Sequence, residues 1–332
     1  MIFPPSISET PIMLVQKPHS ARGPVALGLA ALAICAACSD PTDVGAGTEK
    51  FTTWGEEYIE EGIPATNGTD GFVDGWSVKY SKFLVNYHAI TIADAAGNVV
   101  ATLDKSRFVD NVKVGIKELV TFPSLAAKAY TRVSYEIKTA VPDAVVVAGD
   151  PADLTMMVDN GYSFYAEGTA TKPDPADATK TITKTFHWGF KTQTKYQDCH
   201  AAEENGISTE GVVITDNQTD VSELTTHGDH LYYDSLQSGD NAKPTLLRFD
   251  EKAAADDAPL GNGDGEVTLQ ELCKSQIDPA VYNTSGLPGA TIGDFVISLA
   301  RTIGHYRGEG ECTIKRIDPV PAGVTNPCDE YK

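Results

Sequence analysis

The chain has 332 residues, with 46 acidic against 26 basic side chains and a formal net charge of −20. So acidic a chain lacks the basic patch that nucleic acid demands and the polybasic segment that holds an anionic membrane surface. Hydrophobic content of 41% and charged content of 22% exclude wholesale disorder and leave ample apolar side chains for a core.

The N-terminal segment carries Lys17 and Arg22 ahead of a 13-residue apolar run, Val25–Ala37. That run is too short for a membrane-spanning helix, which needs about 20 residues, and has the proportions of a secretory signal. Met13 serves as an alternative start. The run ends Ala36-Ala37-Cys38, which resembles a bacterial lipobox. That resemblance implies cleavage before Cys38, acylation of its sulfur, and a lipid anchor as the contact with membrane. Ser39 follows the cysteine, and by likeness to bacterial lipoproteins the implied address is the outer membrane. Residues 1–37 are thus read as the signal, and 38–50 as the lipidated cysteine and a flexible tether.

Residues 51–240 read as a β-domain. Trp76–Tyr80, Phe83–Ile92, Tyr130–Ile137, Tyr162–Ala166 and Thr185–Phe190 alternate with period two, and Phe186, Trp188 and Phe190 share one face. Asp94–Asn98 reads as a turn, and Lys172–Asp177 as a hairpin loop or insertion. These short strands predict an antiparallel β-sandwich.

Residues 241–332 change period. Pro244 stands at a first helical position before Leu246, Phe249 and Ala253. Leu269, Leu272, Cys273 and Ile277 make a second stripe. Thr291 and Asp294 spell a capping box ahead of Phe295, Val296, Leu299 and Ile303. The expected class is therefore α+β: a sandwich, then a small helical subdomain with a calcium-type loop and an extended tail pinned by Cys328.

Four cysteines fall in the exported body: Cys199, Cys273, Cys312 and Cys328. An even number in an oxidising compartment predicts two disulfides, and spacing alone leaves three pairings open. No two of the four have zinc-ligand spacing.

Asn262-Gly-Asp264-Gly265-Glu266-Val267-Thr268-Leu-Gln-Glu271 resembles an EF-hand loop. With Gly265 at the sixth position, Asn262, Asp264, Glu266, Thr268 and Glu271 fall at positions three, five, seven, nine and twelve. Calcium takes six to eight hard oxygen ligands in that order around a sharp glycine turn. Position one is Leu260; Asp256 or Asp257 serves there if residues 258–261 bulge outward, and Asp257 is taken as the candidate. The alternative is a solvated turn before a helix.

His227-Gly228-Asp229-His230 is the close histidine pair. Its glycine allows a tight loop that turns both rings and Asp229 to one centre, with His187 or His305 as a further ligand. Imidazole with carboxylate suits copper or zinc; the alternative is hydrogen-bonded structural histidines. A metal-dependent hydrolase is a third possibility, although only the second half of an H-x-H-x-D-H pattern is present. G-x-S-x-G, Walker A and H-E-x-x-H are missing. Glu56, Glu57, Glu60 and Glu61 form an acidic cluster that reads as a solvated face rather than as an acid–base pair.

Ala129-Tyr130-Thr131, Met156-Met157, Gly161-Tyr162-Ser163-Phe164, Phe186-His187-Trp188-Gly189 and Cys199 together resemble the methanobactin-associated copper-binding periplasmic protein family over residues 76–200. That resemblance implies a copper site with His187 as its best-matched residue. Thr226–His230, Gly304–Cys312 and the calcium-like loop also resemble lipoproteins of predatory or social, myxobacterial-type soil bacteria. The overall expectation is a non-enzymatic, lipid-anchored envelope protein that binds calcium, with copper or zinc handling as the alternative.

Overall fold

The computed structural model describes residues 44–66, 68–203, 208–236, 245–284, 287, 291–319 and 326–331. Cys38, the signal segment and Pro244 lie outside the described residues. Among the described residues, no helix is long and apolar enough to cross a membrane.

The chain is mainly β. Its organising strand is Ser77–Ala93, which pairs over its first half with Phe164–Asp174 and over its second half with Arg132–Ile137. Register shifts at Tyr80/Lys82 and His88/Thr91, with Ala89 at a left-handed φ of 44°, bend it. A bulged strand twists its sheet more strongly. The result is one large mixed sheet curled into a half-barrel. Its main path runs from Glu266–Val267 through Asp177–Phe190, Phe164–Asp174, Ser77–Ala93, Arg132–Ile137 and Thr194–Gln197 to Thr313–Arg316.

This replaces the antiparallel sandwich that alternation predicted. Period two reports one buried face, which a curled sheet supplies as well as two stacked sheets do. Parallel pairings also enter, because Glu266–Val267 runs parallel to Thr185–Phe186 and Arg107–Val109 runs parallel to residues 145–148. A second sheet pairs Ala46–Thr53 with Lys117–Ala126 and, in parallel, with Thr219–Glu223. Residues 46–50 therefore belong to a paired strand and not to the tether. Alternate residues there, Gly47, Glu49 and Phe51, are buried, which small polar composition alone does not reveal.

The alternating aromatic face is as expected. Phe186, Trp188 and Phe190 are all fully buried, and the Trp188 indole donates to Val267 O at 2.8 Å. Phe249 and Tyr232 pack against the same face, with Phe249 5.9 Å from Tyr232. Sheet and C-terminal segments thus share one core.

The helices are shorter than the stripes predicted. Residues 245–248 are extended, because Leu247 bridges Phe72 on one side and Tyr233 on the other. The helix there is Asp250–Ala254, and the Asp74 carboxylate accepts from Phe249 N and Asp250 N at its start. The second stripe gives only Leu269–Leu272 before Cys273 turns into a disulfide. The third gives Ile292–Leu299 with the Thr291/Asp294 capping box in place. A further helix, Pro151–Asn160, is capped by Asp150 and closed by Gly161.

The cysteines pair Cys199–Cys312 and Cys273–Cys328. The second bond fastens the tail, which carries the strand Thr313–Arg316 and the 3-10 turn Pro327–Tyr331, onto the helices. Two disulfides point to an oxidising, extracytoplasmic compartment.

Candidate metal centre

An isolated antiparallel bridge, Thr226 to Gly304, builds one side of the site. Its hydrogen bonds run from His227 N to Ile303 O and from His305 N to Thr225 O. In this register His227 and His305 project to the same face as diagonal neighbours, within reach of each other. Their ring centroids are 4.1 Å apart. A Cβ at Gly304 would lie 2.6 Å from the Tyr135 hydroxyl, so only glycine lets the chain cross the Tyr135–Tyr196 stack here. The Tyr135 hydroxyl donates to His305 O at 3.0 Å and fixes the chain beside it.

Gly228 follows His227 and leads into the 3-10 turn Asp229–Tyr232. A Cβ at Gly228 would meet Ile59 and Tyr80 at 2.7 and 2.9 Å, and Gly228 O accepts from the buried Tyr80 hydroxyl at 2.6 Å. The turn carries His230 toward the other two rings, 5.3 Å from His227 and 4.9 Å from His305 between centroids.

His227, His230 and His305 are 6%, 7% and 5% exposed. One ring nitrogen of each lies within 4.8 Å of the other two. The Thr302 hydroxyl donates to Leu299 O and meets His230 Nδ1 at 2.9 Å, so it accepts from Nδ1–H and leaves the lone pair on Nε2. His227 Nε2 and His305 Nδ1 are buried without a hydrogen-bond partner. An unsatisfied buried polar atom is costly, and two of them on rings of one convergent group mark a place for a shared cation.

Burial favours the neutral form of two of the rings, His230 and His305. Burial, reinforced by His227, lowers His305 to about 3. Burial, then His305 and His227, holds His230 well below the ordinary histidine range. A neutral imidazole offers the lone pair that a metal requires.

Glu56 stands beside this group, with Oε1 3.5 Å from His227 Nε2. Burial raises it to about 7, against the pull of His227. Its backbone is left-handed, with φ 52°, a strain of the kind that gathers at functional sites. Glu56, His227 and the exposed Glu309 make a second convergent group, again within 4.8 Å. Sequence reasoning assigned Glu56 to a solvated acidic face and gave Glu309 no role.

Of the predicted histidine-site residues, His227, His230 and His305 come together. Asp229 is adjacent but turned aside: its Oδ2 accepts from the Tyr233 hydroxyl at 2.9 Å, and burial raises its pKa. His187 is elsewhere, half-exposed on the strand Asp177–Phe190 with Nδ1 3.3 Å from Glu266 Oε1.

The EF-hand-like residues hold one another. Asp264 Oδ1 accepts from Glu266 N, Asn262 Oδ1 accepts from Asp264 N, and Asn262 Nδ2 donates to Asp264 Oδ2. Glu271 accepts from Asn262 N, Thr268 N and the Thr268 hydroxyl, completing a capping box. Asp257 and Asp256, the two candidates for the first position, differ in burial. Asp257 is exposed and paired with Lys184, whereas Asp256 is fully buried and its Oδ2 accepts from Gly265 N at 3.0 Å. Lys184 also contacts Asp256 Oδ2. Among the described residues, no three carboxylates of this loop converge as the histidines do.

Comparison with known proteins finds no protein family, curated protein or solved structure that matches this chain. The functional reading therefore stands on the site's geometry.

Proposed function

We propose that this is an extracytoplasmic metal-binding protein that holds one zinc or copper ion through His227, His230 and His305. The observation that carries the reading is the convergence of three buried imidazoles, two of which have a ring nitrogen without a hydrogen-bond partner. Imidazole donors suit zinc and copper and not calcium. The four cysteines at 199, 273, 312 and 328 are all in disulfides, so they offer no thiolate. The role is metal handling without catalysis, and the lipobox-like Cys38 anchors the body to the outer membrane.

Metal analysis of the chain isolated from its own envelope tests this. One zinc or copper per chain, lost in His230→Ala and His305→Ala, is expected. A metal content unchanged by either substitution sinks the reading.

One observation favours a second, calcium position. Asp256 Oδ1 is buried without a hydrogen-bond partner while Gly265 N holds Oδ2. Asp256 thus serves as the first ligand in this reading, with residues 257–260 as the insertion and Gly261 at the second position. Lys184 supplies a competing positive charge there, which favours weak binding, on the order of 10⁻⁴–10⁻³ M.

A further inference from the structure

His227 belongs to two ligand groups at once. One is the buried group with His230 and His305, and the other contains Glu56 and Glu309. The second group differs from the first in exposure: Glu56 is partly buried and Glu309 is exposed. Its elements are held independently. Glu56 opens the helix Glu56–Glu60. Glu309 sits in the tight turn 306–310, closed by Tyr306 N to Gly310 O at 2.9 Å and tied to the neighbouring segment by the Thr225 hydroxyl on Gly308 O. The disulfide at Cys312 anchors the chain just beyond.

We propose that Glu56, His227 and Glu309 form an outer, solvent-facing binding position for the same divalent ion, from which it passes inward to the three histidines. The proposal rests on the three-histidine reading. Two observations support it beyond the acidic charge. His227 Nε2 is buried without a hydrogen-bond partner. It also stands 3.5 Å from Glu56 Oε1, close to the roughly 3.3 Å that separates two ligands of one tetrahedral ion with bonds of about 2.0–2.1 Å.

The chemistry of the two positions differs in the way a loading path requires. Two carboxylates and one imidazole attract a hydrated divalent cation by charge and tolerate its remaining water. Three buried imidazoles hold it more selectively, through the nitrogen donors that zinc and copper prefer. In moving inward the ion keeps His227 and exchanges two carboxylate oxygens for two imidazole nitrogens. Its positive charge stays close to a carboxylate throughout, which limits the cost of taking it out of water.

Stopped-flow loading of the full exported chain with zinc, read by loss of zinc from a chromophoric chelator, tests the proposal. Glu309→Gln is expected to slow loading by a factor on the order of ten, the lower end of what groups beside a metal contribute. Release slows by the same factor, because the path is the same in both directions, so Kd is unchanged. The slowing persists at 0.5 M salt, on the order of a 4 Å Debye length, where long-range steering is screened. Glu309→Asp restores most of the rate. Loading at the parent rate, or slowing that vanishes in high salt, overturns the outer position while leaving the three-histidine site intact. So does a weaker Kd with unchanged loading. A parent chain that takes up no zinc overturns both readings.

Discussion

The Thr302 hydroxyl stands 2.9 Å from His230 Nδ1 and donates its own proton to Leu299 O. This fixes which nitrogen of a buried imidazole carries hydrogen and orients the ring before any ion arrives. Groups of this kind are worth 10–100-fold in metal affinity. Thr302→Val keeps the volume and removes the acceptor. It is expected to weaken zinc binding by about tenfold or more while the far-ultraviolet spectrum stays that of the parent. Unchanged affinity by competition titration would show that the hydroxyl does not orient His230.

Glu49 is fully buried, neither carboxylate oxygen has a hydrogen-bond partner, and burial raises its pKa from 4.5 to about 8. A carboxyl with a raised folded-state pKa stabilises the fold at low pH and loses that contribution as pH rises from about 4.5 to 8. The slope is about 1.4 kcal/mol per pH unit at most. Glu49→Gln removes this titration. The variant should gain stability over the parent as pH is taken from 6 to 8, measured by urea unfolding. Parallel pH profiles would contradict it.

His230 and His305 act in the opposite direction. Their folded-state pKa values lie below 6.5, so the unfolded chain takes up protons first as pH falls under 6.5. In the metal-free protein each then costs up to about 1.4 kcal/mol per pH unit. His305→Asn should flatten the acid limb between pH 6 and 4, followed by thermal melting. An acid limb as steep as the parent's would rule out a neutral, buried His305.

For the calcium-type loop, millimolar calcium should raise the melting temperature relative to chelator. Asp256→Asn should abolish the shift and Asp257→Asn should leave it. At a hundredfold excess over Kd the gain is about 2.7 kcal/mol. A shift lost with Asp257 and kept with Asp256 would reverse the ligand assignment.

Much of the strand pattern was legible, because Phe186, Trp188 and Phe190 alternate and do lie buried on one face. The curl was not legible, since it follows from register shifts along Ser77–Ala93 that no periodicity encodes. The helix Pro151–Asn160 had its signals in Asp150-Pro151 and Gly161, a cap, a first-turn proline and a left-handed stop. They went unread. In the site, His227 and His230 were visible as neighbours in sequence. His305 was one of several candidates until the Thr226–Gly304 bridge selected it. Glu56, Thr302 and Glu309 are brought in by long-range packing and carry no local signature.

The most direct measurement is a zinc and copper titration of the full exported chain against a competing chelator at pH 7. The expected result is one tightly held ion per chain, with affinity lost in His227→Ala, His230→Ala and His305→Ala and kept in His187→Ala. The contrary result is the absence of stoichiometric binding of either ion, or binding that survives His305→Ala and disappears with His187→Ala.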